Sequence, residues 1–267
     1  MRAFTATLVI FVAAVVALAI APRTIARPTA REIRSQLLAE LRPIALGNCT
    51  LRRFGSPNDG GYLMCGNLLE SVAVAYSYGI GGADDWGCDV SQTLGVTVHQ
   101  YDCFMPAPQP CGSGRSIFHD ECIAASHAVI ESRLFDSFTH QVWKNGDAGK
   151  RLVVKIDVEG AELDSLLATP GHVLDRIDQL AMELHGVDER YLELVRKLKR
   201  IFHPVHLHFN NQACTVRYKP FPASAYQVLF VNKRVGVANA ALPPPVLPHP
   251  LDAPDYGLGR DCQQLLE

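Results

Sequence analysis

Several features are missing from this chain, and each absence narrows what it can do. It has no long basic run, and its formal net charge is only −2. Nucleic acid is therefore not an expected partner, because phosphate binding needs a basic stripe. Its eight cysteines include no CxxC pair, so a paired-cysteine zinc site is not expected either. No internal repeat is visible. There is no full G-x-G-x-x-G and no Walker lysine, so a pyrophosphate cradle has little support. The N-terminal apolar run, Leu8 to Ala21, has fourteen residues, short of the about 20 that span a bilayer.

What is present reads as an exported α/β protein. At 267 residues, 48% hydrophobic and 19% charged, the chain can bury one substantial domain. Residues 1–26 fit a signal peptide, with Arg2 before the apolar run. A retained signal anchor is the alternative, and only then is a membrane partner expected. The arginines after the run, Arg23, Arg27, Arg31 and Arg34, weaken the anchor reading. An even cysteine count in an exported chain suggests disulfides and a secretory route. Spacing does not fix their pairing, although Cys103 and Cys111 flank a proline-rich loop that a local bridge could close. Asn48-Cys49-Thr50 is a glycosylation sequon.

The periodicity predicts an amphipathic helix over 29–46, within an N-terminal segment, 29–48. A domain follows over 49–235, and then a proline-rich tail, 236–267, extended or disordered, which Cys262 could tie down. Strands are expected at Val72–Tyr78, Val96–Tyr101, Leu152–Ile156 and Gln179–Leu184, with a poorer one within Ser116–Ala125. Helical patterns alternate with them, including 86–94, 137–145 and a strong amphipathic run over 188–202. That alternation means a doubly wound, mostly parallel sheet. Val205–Phe209 and Tyr226–Val231 have no helical segment between them, so they are expected to form an antiparallel pair at the sheet edge.

Four stretches can carry chemistry. Gly79-Ile80-Gly81-Gly82 follows a strand and precedes a helix, so the backbone can approach a ligand there. Asp102 ends the next strand, where a carboxylate would receive ribose hydroxyls. Asp84 and Asp85 follow the glycines and would repel pyrophosphate, so the expected ligand is nucleoside-like and neutral or cationic. S-adenosylmethionine has that character. The second stretch is the strand tip with Asp157 and Glu159, two apart and expected to share a face. The third is Glu183-Leu184-His185, where His185 is the first choice for a general base, with Asp157 or Glu159 next. The fourth is His206-Leu207-His208 with Asn210 and Asn211. Histidines on strands are more often structural than metal-binding, and no metal is expected.

The run Val154-Lys155-Ile156-Asp157-Val158-Glu159-Gly160-Ala161-Glu162 resembles the most diagnostic motif of the FkbM-type S-adenosylmethionine-dependent methyltransferases, in particular their eukaryotic methyltransferase-like branch. Asp59-Gly60-Gly61-Tyr62, Tyr76-Ser77-Tyr78-Gly79-Ile80 and Glu183-Leu184-His185 are similar to further segments of that branch. The resemblance covers roughly residues 50–235. It implies a Rossmann-like sheet of seven strands, mostly parallel with an antiparallel edge strand, and O-methylation of a small-molecule or glycan-like acceptor. Gly79, Gly81 and Gly82 would lie under the cofactor, Asp102 would hold its ribose, and Asp157 would stand near its methionine moiety. Ser77 departs from the pattern, since that position is usually acidic, and amine recognition would shift to Asp59 or Asp157. Three other classes stay open: a non-catalytic lumenal binding protein, a nicotinamide-dependent oxidoreductase, and a metal-assisted enzyme using Asp157, Glu183 and the histidines.

Overall fold

The structure is a computed structural model that describes residues 27–262. The segment read as a signal peptide or anchor, 1–26, and residues 263–267 lie outside the described residues. In chain order the elements are α1 (Ala30–Glu40), β1 (Leu51–Gly55), β2 (Gly61–Cys65), β3 (Val74–Tyr78), α2 (Asp85–Leu94), β4 (Thr97–Asp102) and β5 (Arg115–Asp120). Three short strands follow, β6 (Cys122–Ala124), β7 (Ala128–Ile130) and β8 (Arg133–Ser137), and then α3 (Phe138–Lys144) and β9 (Leu152–Ile156). The last part holds α4 (Ala161–Ala168), α5 (Gly171–Leu174), β10 (Ile177–Leu184), α6 (Glu189–Leu198), β11 (Phe202–Phe209) and β12 (Tyr226–Asn232).

Seven strands make one mixed sheet in the order β11-β12-β10-β9-β3-β4-β5. Pairing is parallel from β10 through β9, β3 and β4 to β5, and β12 alone runs against both its neighbours. The antiparallel strand is thus not the edge strand. β12 inserts between β10 and β11, which leaves β11 outermost. With no α-helix between β11 and β12, only a 3-10 turn at Asn211–Ala213 and a loop, the chain reverses and lays β12 back across the sheet.

Side-chain alternation divides the core into two layers. Val74, Tyr76 and Tyr78 of β3 and Val154 and Ile156 of β9 face a layer filled by Leu37 of α1, Phe138 of α3, Leu166 of α4 and Leu198 of α6. Ala75, Val153 and Ala181 face the other layer, filled by Trp86 and Val90 of α2 and by Phe54, Tyr62 and Met64 of the β1–β2 hairpin. Helices therefore cover one face, while a single helix and a hairpin cover the other. The Asn58-Asp59-Gly60-Gly61 turn closes that hairpin. β6, β8 and β7 form a separate small sheet. The weak strand expected within 116–125 is in fact two, and its halves join different sheets.

Local signals set the helix ends. Thr29 and Glu32 form a capping box at the start of α1. The helix stops at Glu40 rather than continuing to 46, because Pro43 disfavours helical backbone at Arg42. Asp188 caps α6 by accepting from the Arg190 and Tyr191 amides.

Four disulfides join Cys49–Cys65, Cys88–Cys111, Cys103–Cys122 and Cys214–Cys262. They suit an oxidising, secreted or lumenal environment. The local Cys103–Cys111 bridge does not form. Each of its cysteines instead reaches a different element, Cys111 to α2 and Cys103 to β6. Among the described residues no helix is long and apolar enough to cross a membrane. The Asn48 amide of the sequon is already engaged, donating to the Val235 carbonyl and accepting from the Val237 amide.

The proline-rich segment is placed against the domain rather than trailing from it. Arg53 donates to Leu251 O and Asn58 to Pro254 O. His206 Nε2 stands 2.8 Å from Asp252 Oδ1, and Gln227 donates to buried Asp255 at 2.9 Å. Disulfide Cys214–Cys262 closes the far end.

Candidate functional site

Strand order reverses between β3 and β9, since β4 and β5 build outward on one side and β10 on the other. Open α/β sheets hold ligands at such a point, beyond the carboxyl ends of the strands. The tips here are laced together. The Gly79 amide donates to Tyr101 O at 3.0 Å and the Asp157 amide to Tyr78 O at 3.1 Å. Lys155 Nζ donates to Gly79 O at 2.7 Å. Gly79 has φ +71°, and a Cβ there would lie 1.6 Å from the Asp157 carbonyl oxygen. Only glycine satisfies both constraints. Gly81 also has positive φ, but a Cβ on it would meet nothing within 4 Å. Its amide donates to Asp102 Oδ2 at 3.1 Å. Asp102 Oδ1 accepts from the amides of Phe104 and Met105. One carboxylate therefore ties the glycine loop to the loop after β4.

These tips surround a cavity of about 610 Å³. Asp59, Gly79, Gly81, Asp102, Asp157 and Glu159 are in its wall, and Ser77, Gly82 and His185 are not. The wall carries seven carboxylates (Asp59, Asp84, Asp85, Asp102, Glu121, Asp157 and Glu159) and one basic side chain, Lys155. Tyr78, also in the wall, leaves its buried hydroxyl without a hydrogen-bond partner.

Ser77 is fully buried and donates to Asp84 Oδ1 at 2.9 Å. Asp84 also accepts from Gln100 at 2.8 Å and from the Gly87 amide at 2.9 Å, which caps α2. An acid, Asp84, therefore stands directly beside Ser77. Gly82 lies outside the wall, and a Cβ on it would come 3.5 Å from the Met105 side chain.

At the tips of β9 and β10 a second group gathers. Tyr62 donates to Asp157 Oδ2 at 2.8 Å, and Lys155 Nζ stands 3.7 Å from the same oxygen. Asn210 donates to Glu183 Oε1 at 2.8 Å. His185 Nδ1 lies 3.3 Å from Glu162 Oε1. Its Nε2 lies 3.7 Å from Asp157, 3.5 Å from Glu159 and 3.8 Å from Glu183. Glu162, wholly buried, also accepts from the amides of Gly160 and His185 and from the Tyr191 hydroxyl.

The charge balance of this group follows from burial and proximity. Burial pushes the His185 imidazole toward its neutral form. The Glu162 bond and the surrounding carboxylates outweigh that and raise its pKa. Burial, reinforced by Asp157, raises the Glu183 carboxyl. Burial and the Asp157 charge raise the Tyr62 phenol, which keeps it a hydrogen-bond donor.

Two expectations change. His185 is off the cavity wall, and Glu162 and the surrounding carboxylates favour its cationic form, which works against the role of neutral-pH base. Nor do Asp157 and Glu159 share a strand face. β9 ends at Ile156, and Glu159 turns out with φ +51° and a side chain 89% exposed. Glu159 does not cap α4, whose N-cap is Gly160, with no side-chain cap bond. His206 and His208 face Asp252 and Asp255 of the C-terminal segment.

Sequence reasoning gave no role to Lys155, Tyr62, Glu162 or Asp255. Lys155 was findable, because it lies two residues before Asp157 and so on the same side of the strand. Asp255 was not, since nothing local ties it to β10. No protein-family model matches the chain, and no curated protein matches it significantly.

Proposed function

We propose that the chain is an S-adenosylmethionine-dependent methyltransferase of the FkbM type, on a Rossmann-like sheet, that methylates a hydroxyl of a small-molecule or glycan-like acceptor. The observation that carries this reading is the charge of the cavity wall, seven carboxylates against one lysine, at the switch point of a mostly parallel sheet. A pyrophosphate would be repelled from it, whereas an ammonium and a sulfonium are attracted. That disfavours the nicotinamide reading.

The residues present fit the cofactor. Asp102 Oδ2 accepts one backbone bond and keeps acceptor capacity for ribose hydroxyls. Asp59, Asp84 and Asp157 offer carboxylates to an amine. The open side of Gly81 leaves room for close approach, and a volume of about 610 Å³ suits a nucleoside-sized ligand. When bound, S-adenosylmethionine supplies an electrophilic methyl group. The chain's own contribution is to orient the acceptor, which is worth up to roughly 7–11 kcal/mol in favourable cases. Asp157, in the wall, is the group that takes the hydroxyl proton. His185 and Tyr62 position it from behind, and Lys155 from beside it.

Thermal shift of the purified protein against S-adenosylmethionine and NAD tests the reading. S-adenosylmethionine should raise Tm and NAD should not, since stabilisation scales with ligand over Kd. Asp102→Ala should weaken S-adenosylmethionine binding at least about tenfold in calorimetry, a loss of ~1.4 kcal/mol. No shift with S-adenosylmethionine would overturn the proposal in favour of a binding protein.

A further inference from the structure

Asp157, Glu183 and His185 each present one ligand atom, and the three atoms lie within 4.8 Å of one another. The other polar atom of each side chain is already held. Tyr62 holds Asp157 Oδ2, Asn210 holds Glu183 Oε1, and Glu162 holds His185 Nδ1. What remains is Asp157 Oδ1, Glu183 Oε2 and His185 Nε2, all turned toward one point. Nε2 stands 3.7 Å and 3.8 Å from the two oxygens. Those separations are too long for hydrogen bonds, so a proton on Nε2 would have no acceptor among them.

We propose that these three atoms form a site for one divalent transition-metal cation; occupied, it would take Asp157 Oδ1 out of the proton-accepting role proposed above, and its own test does not rest on methyl transfer. Two ligands each about 2.1 Å from a metal stand roughly 3.4 Å apart at the tetrahedral angle. The two separations from Nε2, 3.7 Å and 3.8 Å, exceed that by a few tenths of an ångström, and all three atoms lie within 4.8 Å of one another. The arrangement behind the ligands is the one metal sites use, in which the remote atom of every ligand is fixed by a hydrogen bond.

A separate observation points the same way. Asp255, from the C-terminal segment, is bonded through Oδ1 to Gln227, the cross-strand partner of Glu183. Its Oδ2 is buried and has no hydrogen-bond partner. The nearest cationic group recorded for that oxygen is His208 Nε2, at 3.7 Å and likewise without a hydrogen bond. A buried, unpartnered carboxylate oxygen is costly, and Asp255 is linked to Glu183 through Gln227. A cation between Asp157 and Glu183 would offset that charge.

The donor set selects the ion. One imidazole nitrogen with two carboxylate oxygens suits Mn²⁺ or Zn²⁺ better than Mg²⁺ or Ca²⁺, which prefer oxygen alone. Asp157 is in the cavity wall. Glu183 and His185 are not, so the site would border the cavity on its Asp157 side.

The test uses the full chain, stripped with a chelator and titrated with Mn²⁺ under electron paramagnetic resonance, and with Zn²⁺ by calorimetry. One saturable ion per chain is expected. Pulsed spectra of the Mn²⁺ form should show ¹⁴N coupling from a bound imidazole, and that coupling should vanish in His185→Gln. Glu183→Gln should weaken binding at least tenfold with its circular dichroism unchanged. If a variant fails to fold, the wild-type spectrum still decides. Wild-type protein that binds neither ion stoichiometrically, or binds Mn²⁺ without ¹⁴N coupling, overturns the site.

Discussion

The two halves of the carboxyl edge solve the same problem differently. On the β3–β4 side, Asp102 is satisfied by three backbone amides within a few residues of the strand ends. On the β9–β10 side, Asp157, Glu183 and Glu162 depend on side chains from distant parts of the chain: Tyr62 of the hairpin, Asn210 after β11 and Tyr191 of α6. The first half is set by local geometry, because neighbouring amides have nowhere else to go. The second is set by tertiary packing and carries more charge than its partners neutralise. A ligand entering the first half finds a prepared surface, whereas the second half is itself a reservoir of charge.

The largest effect should come from the one residue that both halves share. Gly79→Ala places a methyl group against the Asp157 carbonyl and forces a strained φ, and it should cost more than about 4 kcal/mol. Gly81→Ala, with the same sign of φ but open space around it, should cost only about 1–2 kcal/mol. Denaturant unfolding of both variants measures the difference, and equal costs would mean that the two halves do not meet at Gly79.

Next in size is Glu162→Ala, which removes the buried partner of His185 and should cost about 3 kcal/mol. Because the loss lies in the tertiary half, S-adenosylmethionine affinity should fall less than in Asp102→Ala. The reverse order in calorimetry would break the division.

The smallest effect is a pH dependence above pH 6.5 that comes from the β9–β10 tips and from His208 of β11. His185 and His208 both have pKa values raised above 6.5 in the folded state, although burial alone would lower them. A raised histidine stabilises fully below its unfolded value, and that contribution is lost as pH rises through the folded value. For His185 the folded value is about 9. Glu183, raised above 4.5, acts in the same sense, since the folded state holds its proton longer than the unfolded chain does. In chelator, Tm should therefore decline as pH rises from 6.5 to about 9, and Glu183→Gln should flatten the decline. A level Tm over that range would show that the carboxylates do not hold His185 protonated.

Legibility followed the same division. β9 is found where its apolar run ends, at Leu152–Ile156, because a buried central strand needs no information beyond its own residues. The glycine loop and Asp102 were readable for the same reason. The antiparallel pairing of β11 and β12 was readable from the missing helix, but the insertion of β12 beside β10 was not, since that depends on which neighbour has the better side-chain match. Cys103 and Cys111 looked like partners because they are close in sequence, yet each is drawn away by an element that packs elsewhere. The prolines of 243–254 suggested an extended or disordered tail tied down at Cys262, and the Cys214–Cys262 disulfide is that tie. Composition does not reveal that Asp252 and Asp255 would find buried histidines on β11, and so a polar layer of the site came from residues outside the expected domain boundary.

Cys88–Cys111 and Cys103–Cys122 fasten the loop after β4 at both ends, one to α2 and one to β6. Phe104 and Met105 between these fixed points are exposed, yet both belong to the cavity wall. The entrance is therefore a framed doorway rather than a flap. It can bow between its two posts, but it cannot swing clear of the opening. Amide exchange over 104–110 should accelerate only after reduction, and fast exchange in the oxidised protein would mean that the doorframe is loose.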